Sequence, residues 1–569
     1  MNWLSRDAPP RAVWALSQHG LHPLMARLYA ARGVYEAQDT DASLAHLLPP
    51  EGLMGVTEAA ALLADAMAQQ RRICIVADYD CDGATACALG MRGLAMLGAR
   101  HLDFLVPDRV VDGYGLTPAI AARVHAQGAQ LLITVDNGIA SVEGVAEAKR
   151  LGMQVLVTDH HLPGAKLPDA DALVNPNQPG CGFASKHLAG VGVMFYVLLA
   201  LRACLRERGV FAHAPEPRLD GLLPLVALGT VADVVRLDAN NRRLVTHGLQ
   251  RMRQGQMPAG LWALCRVAGR EPALLTSQDL GFALGPRLNA AGRLSHMRLG
   301  IECLLCDDTE QALAMAQQLD AINRERRLLE SDMREQALQH ADTLLDGLGE
   351  PPAALCVFDA RFHEGVIGIV AGRLKDRHHR PCFVFAPSES EGQPVLKGSG
   401  RSLPGFHLRD ALDAISKSHP DILLRFGGHA MAAGCTLRPQ HLAAFEQALQ
   451  NLAQQGLTPA TLQRTVLTDG PLEREHLRVD VAATLQNQVW GQGFEAPLFQ
   501  DKVQVLGQRI VGEKHLSLKL RLHGQAVDGI WFGRLTPLPA EAELAFRLVL
   551  DNWQGARKLS LHVEHMRPA

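Results

Sequence analysis

Acidic residues and histidines follow three apolar, strand-like segments of the sequence and interrupt a fourth apolar run. These polar positions are Asp78-Tyr-Asp80-Cys-Asp82-Gly83, Asp136-Asn-Gly138, Asp159-His160-His161 and, within Leu228–Val235, Asp233. So many like charges brought together would repel one another unless cations neutralised them. Carboxylate oxygens select hard divalent ions such as Mg²⁺ and Mn²⁺, and imidazole nitrogens shift the preference toward Mn²⁺. The pattern predicts a centre for two divalent cations, Mn²⁺ or Mg²⁺, as used for in-line displacement at phosphorus.

Helix capping is the alternative role for these acids, because Asp is favoured at helix N-termini. For any one of the acids, capping explains the position as well as metal binding does. Capping alone does not explain why two histidines accompany the acids across four segments. The set as a whole therefore favours the metal centre.

The elements that must position these residues alternate between strands and helices. The sequence predicts strands at Ile73–Ala77, Leu131–Val135 and Val155–Thr158, and helices near Thr85–Leu97 and Ser141–Leu151. Such strand–helix–strand units form a parallel sheet that is covered by helices on both faces. Ligands of these sheets bind beyond the carboxyl ends of the strands, where the polar residues lie. In an extended segment, Asp78, Asp80 and Asp82 would all point the same way.

Three further parts follow along the chain. The segment from about Asp308 to Leu345 lacks Gly and Pro and predicts a helix of roughly 38 residues, about 57 Å long. That length favours a strut between domains, with an ordinary exposed helix as the alternative. A second α/β unit begins at Ala353, and Gln454–Thr461 is interpreted as a linker. Beyond it, stretches such as His515–Leu522 alternate with a period of two and predict a small β-barrel.

Composition limits the kinds of partner. The 569 residues are 47% hydrophobic and 20% charged, as expected for a folded chain of several domains. The net charge of −3 excludes an overall positive field, so a nucleic acid would have to bind local basic patches. Residues 361–430 and 501–569 each carry ten basic against seven acidic residues. The 11 scattered cysteines and the lack of a membrane-length apolar run predict a cytoplasmic protein that binds no membrane.

The ordered set of motifs resembles the DHH phosphoesterase superfamily. The matching segments are Asp78-x-Asp80-x-Asp82-Gly83, Val135-Asp-Asn-Gly138, Asp159-His-His161 and Asp233. The stretches His363–Arg373, Gly398–Ser402 and Phe426–His429 are similar to the associated second domain, DHHA1. Three features resemble the bacterial members that digest single-stranded DNA from its 5′ end: Pro107–Leu116, Gly285–Arg293 and the C-terminal β domain.

The resemblance implies an α/β protein of five consecutive parts. These are an N-terminal extension (1–49), a parallel-sheet DHH catalytic domain (50–270), a connecting segment with the long helix (271–347), a DHHA1-like α/β substrate-binding domain (348–452), and a C-terminal barrel resembling an oligonucleotide-binding (OB) fold (460–569).

The resemblance also implies roles at the metal centre. One cation would be bound by Asp78, Asp80 and Asp136, and the other by Asp82, Asp136, His160 and Asp233. Asp136 would then bridge the two. His161 would face the scissile phosphate, and Asp159 would be either a ligand or the acceptor that orients an imidazole. We therefore expect Asp80, Asp159 and His161 to be catalytic. Val76 stands where many members carry a histidine, and Asp78 would compensate for it.

The residues that bind the substrate are expected to recognise its 5′ end. Ser399 and Arg401, in a Gly-rich loop at Gly398–Ser402, would bind a terminal phosphate, together with His363 and His429. Arg109, Asn289 and Arg293 are candidates for holding the nucleic-acid backbone near the scissile bond. Tyr114 would either stack on a base or simply pack within its loop, and both interpretations stay open.

Together these expectations describe a metal-dependent exonuclease. It would hydrolyse single-stranded DNA from the 5′ end to 5′ mononucleotides in recombination and repair. Its expected partners are single-stranded DNA, a single-strand-binding protein and a helicase, and it would act as a monomer. One alternative is a DHH phosphodiesterase of short oligonucleotides or cyclic dinucleotides, which needs neither strut nor barrel. The other is an inactive DNA-binding scaffold, which would be expected to have lost metal ligands that this chain retains.

Overall fold

The computed structural model describes residues 2–108, 112–346, 352–390, 392–458, 461–553 and 556–568. The chain divides into two compact units. One unit comprises Ser5–Asp320 with Leu467–Ala569, and the other comprises Met1–Leu4 with Ala321–Val466. Within the described residues, no helix combines the length and apolar character that a membrane span requires.

From Ser5 onward the N-terminal segment is built into the first unit, whereas the residues up to Leu4 belong to the second. It contains strand β1 (Asn2–Ser5), helices α1 (Pro10–Gln18) and α2 (Pro23–Ala30), and 3₁₀ turns at Ala37–Thr40, Leu44–His46 and Pro50–Gly52. Leu16, Leu24 and Leu28 are buried in the same hydrophobic cluster as one face of the parallel sheet. Arg32 makes a buried bidentate ion pair with Asp469, with N–O distances of 2.8 and 3.0 Å.

The predicted parallel sheet has five strands and is confirmed. The strands are β2 (Ile73–Ala77), β3 (Leu102–Leu105), β4 (Leu131–Val135), β5 (Gln154–Thr158) and β6 (Ala172–Val174), in the spatial order β3-β2-β4-β5-β6. The associated helices are α3 (Val56–Ala68), α4 (Cys81–Met96), α5 (Pro118–Ala126), α6 (Val142–Arg150) and α7 (Gly190–Glu207).

Both faces of this sheet are buried. Ile73 and Ile75 belong to the cluster that includes α3, α4 and α7, whereas Cys74 and Val76 belong to the cluster that includes α5 and α6. This alternation explains why β2 is apolar at every position. Helix α4 begins at Cys81, four residues earlier than expected. The expectation that Asp82 continues an extended alternation with Asp78 and Asp80 is therefore wrong.

A helical segment follows the sheet within the first unit. Its elements are α8 (Leu223–Ala232), α9 (Ala239–Arg253), α10 (Ala259–Val267), α11 (Ser277–Asp279), a π-helical turn (Leu280–Leu284), α12 (Gly285–Leu294) and α13 (Arg298–Leu305). The predicted long helix is confirmed as α14 (Thr309–Asp346), with 38 residues. It contributes residues to both units, because the division falls after Asp320. Arg287 of α12 pairs with Asp320, with Nε 3.0 Å from Oδ1.

The second unit is a mixed α/β fold, as expected. Its elements are β7 (Leu355–Phe358), α15 (Ile367–His378), β8 (Cys382–Ser390), β9 (Gln393–Arg401), α16 (Leu408–Ser418), β10 (Leu423–Gly428), β11 (Ala432–Leu437) and α17 (Leu442–Gly456), followed by β12 (Thr465–Thr468), which pairs with β1. The sheet has the order β10-β11-β9-β8-β7. Only the β7–β8 pair is parallel among its described strands.

The Gly-rich segment predicted as a loop at Gly398–Ser402 is mostly strand, so that prediction is wrong. Residues 398–401 form the end of β9, which pairs with β8 on one side and β11 on the other. A Cβ atom on Gly398 would lie 2.3 Å from the Phe385 ring, and one on Gly400 would lie 2.5 Å from the Phe383 ring. The glycines are therefore explained by close packing against these rings, not by backbone N–H groups exposed to a phosphate.

The C-terminal β-barrel is confirmed. It is preceded by α18 (Val479–Asn487) and consists of β13 (Phe499–Val511), β14 (His515–Leu522), β15 (Gln525–Trp531), β16 (Glu541–Trp553) and β17 (Ala556–Pro568), closed in the order β13-β14-β15-β17-β16. Leu516, Leu518, Leu520 and Leu522 are buried on one side of β14, which explains the period of two in that segment.

Candidate metal centre

The candidate ligands converge beyond the carboxyl ends of β2, β4 and β5. Two groups of side chains each place their ligand atoms within 4.8 Å of one another: Asp78, Asp80 and Asp136 in one, and Asp82, His160 and Asp233 in the other. Nε2 of His160 lies 3.0 Å from Oδ1 of Asp136, 3.4 Å from Oδ2 of Asp233 and 3.8 Å from Oδ2 of Asp82. Asp136 therefore belongs to the first group and lies beside His160 of the second, so its carboxylate adjoins both groups.

The backbone at Asp136 is unusual for a residue with a side chain. Its φ angle is +61°, in the left-handed region that costs free energy for residues other than glycine. The start of α7 lies directly beside it, because a Cβ atom on Gly190 would be 2.6 Å from the Cβ of Asp136. Only glycine lets α7 approach this closely.

Asp82 and Asp80 are oriented by helix N-termini. The carboxylate of Asp82 is fully buried and accepts hydrogen bonds from the N–H groups of Gly190 (2.5 Å) and Val191 (2.9 Å) at the start of α7. Asp80 is the N-cap of α4 and accepts a bond of 3.0 Å from the N–H of Gly83. The capping interpretation is therefore correct for Asp80, but it coexists with membership of the cluster.

The electrostatics of the cluster favour bound cations. Burial, followed by the charge of Asp80, raises the pKa of Asp82 to about 7. Burial and the neighbouring carboxylates also raise the pKa of Asp136 and of Asp233 well above the usual range. Oδ1 of Asp136 and Oδ2 of Asp233 are buried, and both face Nε2 of His160 without a well-formed hydrogen bond to it. Divalent cations would stabilise the charged forms and occupy these oxygens, so the donor set suits Mn²⁺ or Mg²⁺.

Asp159 is placed to orient His161. Its Oδ1 accepts hydrogen bonds from the N–H groups of His160 and His161 and lies 2.8 Å from Nδ1 of His161, while its Oδ2 accepts from the N–H of Ile139. Burial opposes charge on both side chains, but their mutual hydrogen bond lowers the pKa of Asp159 and raises that of His161 to about 9. Of the two roles left open for Asp159, this geometry favours the orienting acceptor.

Two asparagines that the sequence argument passed over support the histidine segment. Nδ2 of Asn175 donates to the carbonyl of His161 (2.9 Å), and Nδ2 of Asn177 donates to the carbonyl of His160 (2.6 Å). Both follow β6, the strand adjacent to β5. Their signal was the Asn-Pro-Asn sequence immediately after a short apolar run, at the same edge of the sheet.

Helix α12 supports the loop that carries Asp78 and Asp80. Oδ1 of Asn289 accepts a bond of 2.7 Å from the N–H of Cys81, and a Cβ atom on Gly292 would lie 1.8 Å from the carbonyl oxygen of Tyr79. The amide oxygen of Asn289 is thus occupied in shaping the loop. Arg293, one residue further along this helix, is partly buried.

Tyr114 lies at the edge of the cluster, and Arg109 lies outside the described residues. The Tyr114 hydroxyl donates to the carbonyl of Asp136 (3.3 Å) and is 3.4 Å from Nδ1 of His161. Its ring is half exposed and makes edge contacts with Tyr79 and His161. The Tyr114 ring therefore packs within its loop along one edge and also has an accessible surface, so both interpretations of this residue remain open.

The residues expected to bind a terminal phosphate lie in the second unit. Nη1 of Arg401 donates to Oγ of Ser399 (3.2 Å), and a Cβ atom on Gly368 would lie 2.9 Å from Nη2 of Arg401. Gly368 is in the first turn of α15, so the guanidinium and hydroxyl lie at a helix N-terminus, which attracts anions. His363 and His429 are both exposed, and His429 follows β10 at the turn into β11.

Known proteins resemble this chain over nearly its whole length. Residues 72–230 match the family described as the DHH family, N-terminal domain, residues 351–455 match the DHHA1 domain, and residues 468–565 match the RecJ OB domain. The single-stranded-DNA-specific exonuclease RecJ of Salmonella typhimurium is 46% identical, covering 96% of each chain. The protein of the same name from Thermus thermophilus is 34% identical, covering 98% of this chain and 77% of that protein.

Solved structures show the same similarity. The crystal structure of Thermus thermophilus RecJ in complex with Mn²⁺ aligns with a TM-score of 0.82 at 31% identity, covering all of this chain and 80% of that one. Its complex with Mg²⁺ aligns with a TM-score of 0.76 at 30% identity, covering 100% and 78%.

Proposed function

Because this chain belongs to the RecJ family within the DHH superfamily, we propose that it is a metal-dependent exonuclease that hydrolyses single-stranded DNA from the 5′ end. The observation that carries the proposal is the pair of ligand groups that meet at Asp136 beside the imidazole of His161. Relatives of the same fold have been solved with Mn²⁺ and with Mg²⁺, which supports either cation as the cofactor.

Each ligand group would hold one of the two cations. Asp78, Asp80 and Asp136 would hold one cation, and Asp82, His160, Asp233 and Asp136 would hold the other. Bound there, the cations supply an activated water and neutralise charge on the phosphoryl oxygens. His161, whose Nδ1 is engaged by Asp159, would present Nε2 to a phosphoryl oxygen or to the departing 3′ oxygen. The product would be a 5′ mononucleotide.

Residues of the second unit would bind the 5′ end of the strand and so set the direction of digestion. Ser399 and Arg401 lie together at the start of α15. A terminal 5′ phosphate would bind there to the Arg401 guanidinium, the Ser399 hydroxyl and the helix N-terminus. His363, His429, Arg109 and Arg293 are proposed as additional contacts to the strand. Asn289 would act indirectly, through the loop that it caps at Cys81.

We also infer the cellular setting from the family. The enzyme would work in the cytoplasm as a monomer, in DNA recombination and repair, beside a single-strand-binding protein and a helicase. The 11 cysteines are all free thiols, which supports a reducing compartment.

Digestion of end-labelled oligonucleotides tests the proposal directly. A strand with a 5′ phosphate, the same strand labelled at its 3′ end, its RNA counterpart and a dinucleotide are incubated with Mn²⁺ or Mg²⁺. We expect mononucleotides to be released progressively from the 5′ end of DNA, with no turnover in EDTA or by Asp80→Ala. Release from the 3′ end, preference for the dinucleotide, or full activity of Asp80→Ala would each refute it.

A further inference from the structure

The most exposed large apolar side chain of the described residues belongs to a turn that packs on the two residues before Asp233, a candidate metal ligand. Phe282 is 78% exposed, whereas its neighbours Leu280, Ala283 and Leu284 are all buried. Isolated exposed apolar residues are common on protein surfaces and by themselves need no explanation. Phe282 differs because it lies in a π-helical turn and because this turn packs next to a candidate metal ligand.

Phe282 lies in the π-helical turn Leu280–Leu284, between α11 and α12. Such turns are rare, and they occur frequently at functional sites. This turn packs on the end of α8, the helix that carries Asp233. A Cβ atom on Gly281 would lie 3.3 Å from Cγ1 of Val231, and one on Gly285 would lie 3.0 Å from Cβ of Ala232. The turn therefore contacts the two residues that immediately precede Asp233.

A second exposed apolar residue follows Asp233 directly. Val234 is 61% exposed and has a φ angle of +62°, a strained conformation for a β-branched residue. Its strained backbone leaves an apolar side chain in solvent instead of burying it. Phe282 and Val234 are thus two exposed apolar residues, one in the turn that packs on Val231 and Ala232 and the other directly after Asp233.

The same helical run also reaches the other side of the metal centre. Beyond the turn, α12 contacts the acidic loop through Asn289 and Gly292, as described above. The helical run that contains Phe282 therefore contacts both the segment before Asp233 and the loop that carries Asp78 and Asp80. Tyr114, another accessible ring, lies beside Asp136 and His161.

From this arrangement we propose that Phe282 stacks on an unpaired base of the substrate next to the scissile phosphate, with Val234 extending the apolar surface. The inference rests on the proposed exonuclease function and adds a source of strand specificity. A base inside a duplex is already stacked and paired, so only a single strand offers its face to this ring. Stacking on an aromatic side chain tolerates every base, as an exonuclease requires.

Substrates that lack a base separate this role from a structural one. Wild type, Phe282→Ala and Phe282→Trp are compared on a 5′-phosphorylated natural strand and on strands with one abasic residue moved through the first eight positions. Trp14→Ala is the matched control, because Trp14 is an aromatic residue of α1 that is 66% exposed. Melting midpoints of all variants are measured in parallel.

We expect Phe282→Ala to lower kcat/KM about tenfold on the natural strand, within the range for loss of one stacked base. Phe282→Trp and Trp14→Ala should stay near the wild-type value. At one or two abasic positions the wild type should fall by a similar factor, and Phe282→Ala should fall no further. Such non-additivity is the signature of a direct contact.

Two outcomes would overturn the inference. One is a Phe282→Ala variant within twofold of wild type on the natural strand, and the other is the same fractional loss at every abasic position. If wild type does not digest the natural strand at all, the proposed function fails. Fluorescence anisotropy with the same strands then decides whether Phe282 still contacts a base.

Discussion

Oδ1 of Asp159 lies 2.8 Å from Nδ1 of His161, and the same carboxylate accepts three backbone N–H bonds. The four donors hold Asp159 from several directions within the protein interior, where only 1% of its surface is exposed. The Asp159 carboxylate is therefore placed to direct the His161 ring and to stabilise its protonated form. A residue that acts in this way contributes through its neighbour rather than through contact with the substrate.

Replacing Asp159 by Asn should lower kcat about 10- to 100-fold, the usual cost of losing such an orienting acceptor. The amide would keep the shape of the side chain but would remove the charge that stabilises the imidazolium. Single-turnover digestion measures the effect, and Mn²⁺ affinity is the control. Unchanged kcat would reject the role, whereas loss of one bound cation would make Asp159 a ligand instead.

Asp136→Asn should abolish turnover and at the same time stabilise the metal-free protein. Burial and neighbouring acids raise the pKa of Asp136, so its charged form is unfavourable when no cation is present. We expect the melting midpoint in EDTA to rise by about 2 °C or more, since a neutral amide removes that repulsion. A lower midpoint in EDTA would show that Asp136 has a stabilising structural role.

Saturating Mn²⁺ should stabilise the wild type against unfolding by about 2.7 kcal/mol per bound ion, or about 5.4 kcal/mol for two ions, at a concentration 100 times the dissociation constant of each site. Equilibrium dialysis should find two ions per chain. Asp78→Asn should lose one ion, and Asp233→Asn should lose the other, because these residues belong to different ligand groups. If both variants still bind two ions, the assignment of the two groups is incorrect.

Arg401→Ala should reduce the preference for a 5′ phosphate over a 5′ hydroxyl by about tenfold, the loss expected from a charge-assisted hydrogen bond. The measurement is the ratio of kcat/KM values for the two strands. Arg409→Ala is the matched control, because Arg409 is an exposed arginine in the same unit. An unchanged ratio in Arg401→Ala would exclude the terminal phosphate as its ligand.

Arg32→Met should destabilise the first unit by about 3–5 kcal/mol, because it leaves the Asp469 carboxylate buried without its charge partner. Thermal unfolding followed by circular dichroism measures the change. The double variant Arg32→Met with Asp469→Asn should be more stable than Arg32→Met alone, since no unpaired charge remains. Equal stability of the three proteins would mean that the ion pair does not hold the N-terminal segment.

The sequence by itself determined three of the five strands of the parallel sheet (β2, β4 and β5, but not β3 and β6), the long helix, the barrel and the set of metal-ligand candidates. These features are local: buried strands are continuously apolar, barrel strands alternate, and the candidate acids other than Asp233 follow strands within a few residues. The convergence of these strand-end acids follows from the rule that parallel strands end at one edge of the sheet. Asp233 instead ends helix α8.

Tertiary structure decided which of several possible partners each side chain meets. The amide of Asn289 contacts Cys81 across 208 positions of the chain, and Arg32 pairs with Asp469 across 437. Gly398 belongs to a packed strand because the Phe385 ring lies against it. Such contacts depend on how distant segments pack, and no local periodicity encodes them. For that reason the sequence supplied the candidate ligands, whereas only the folded chain showed which residues hold them in place.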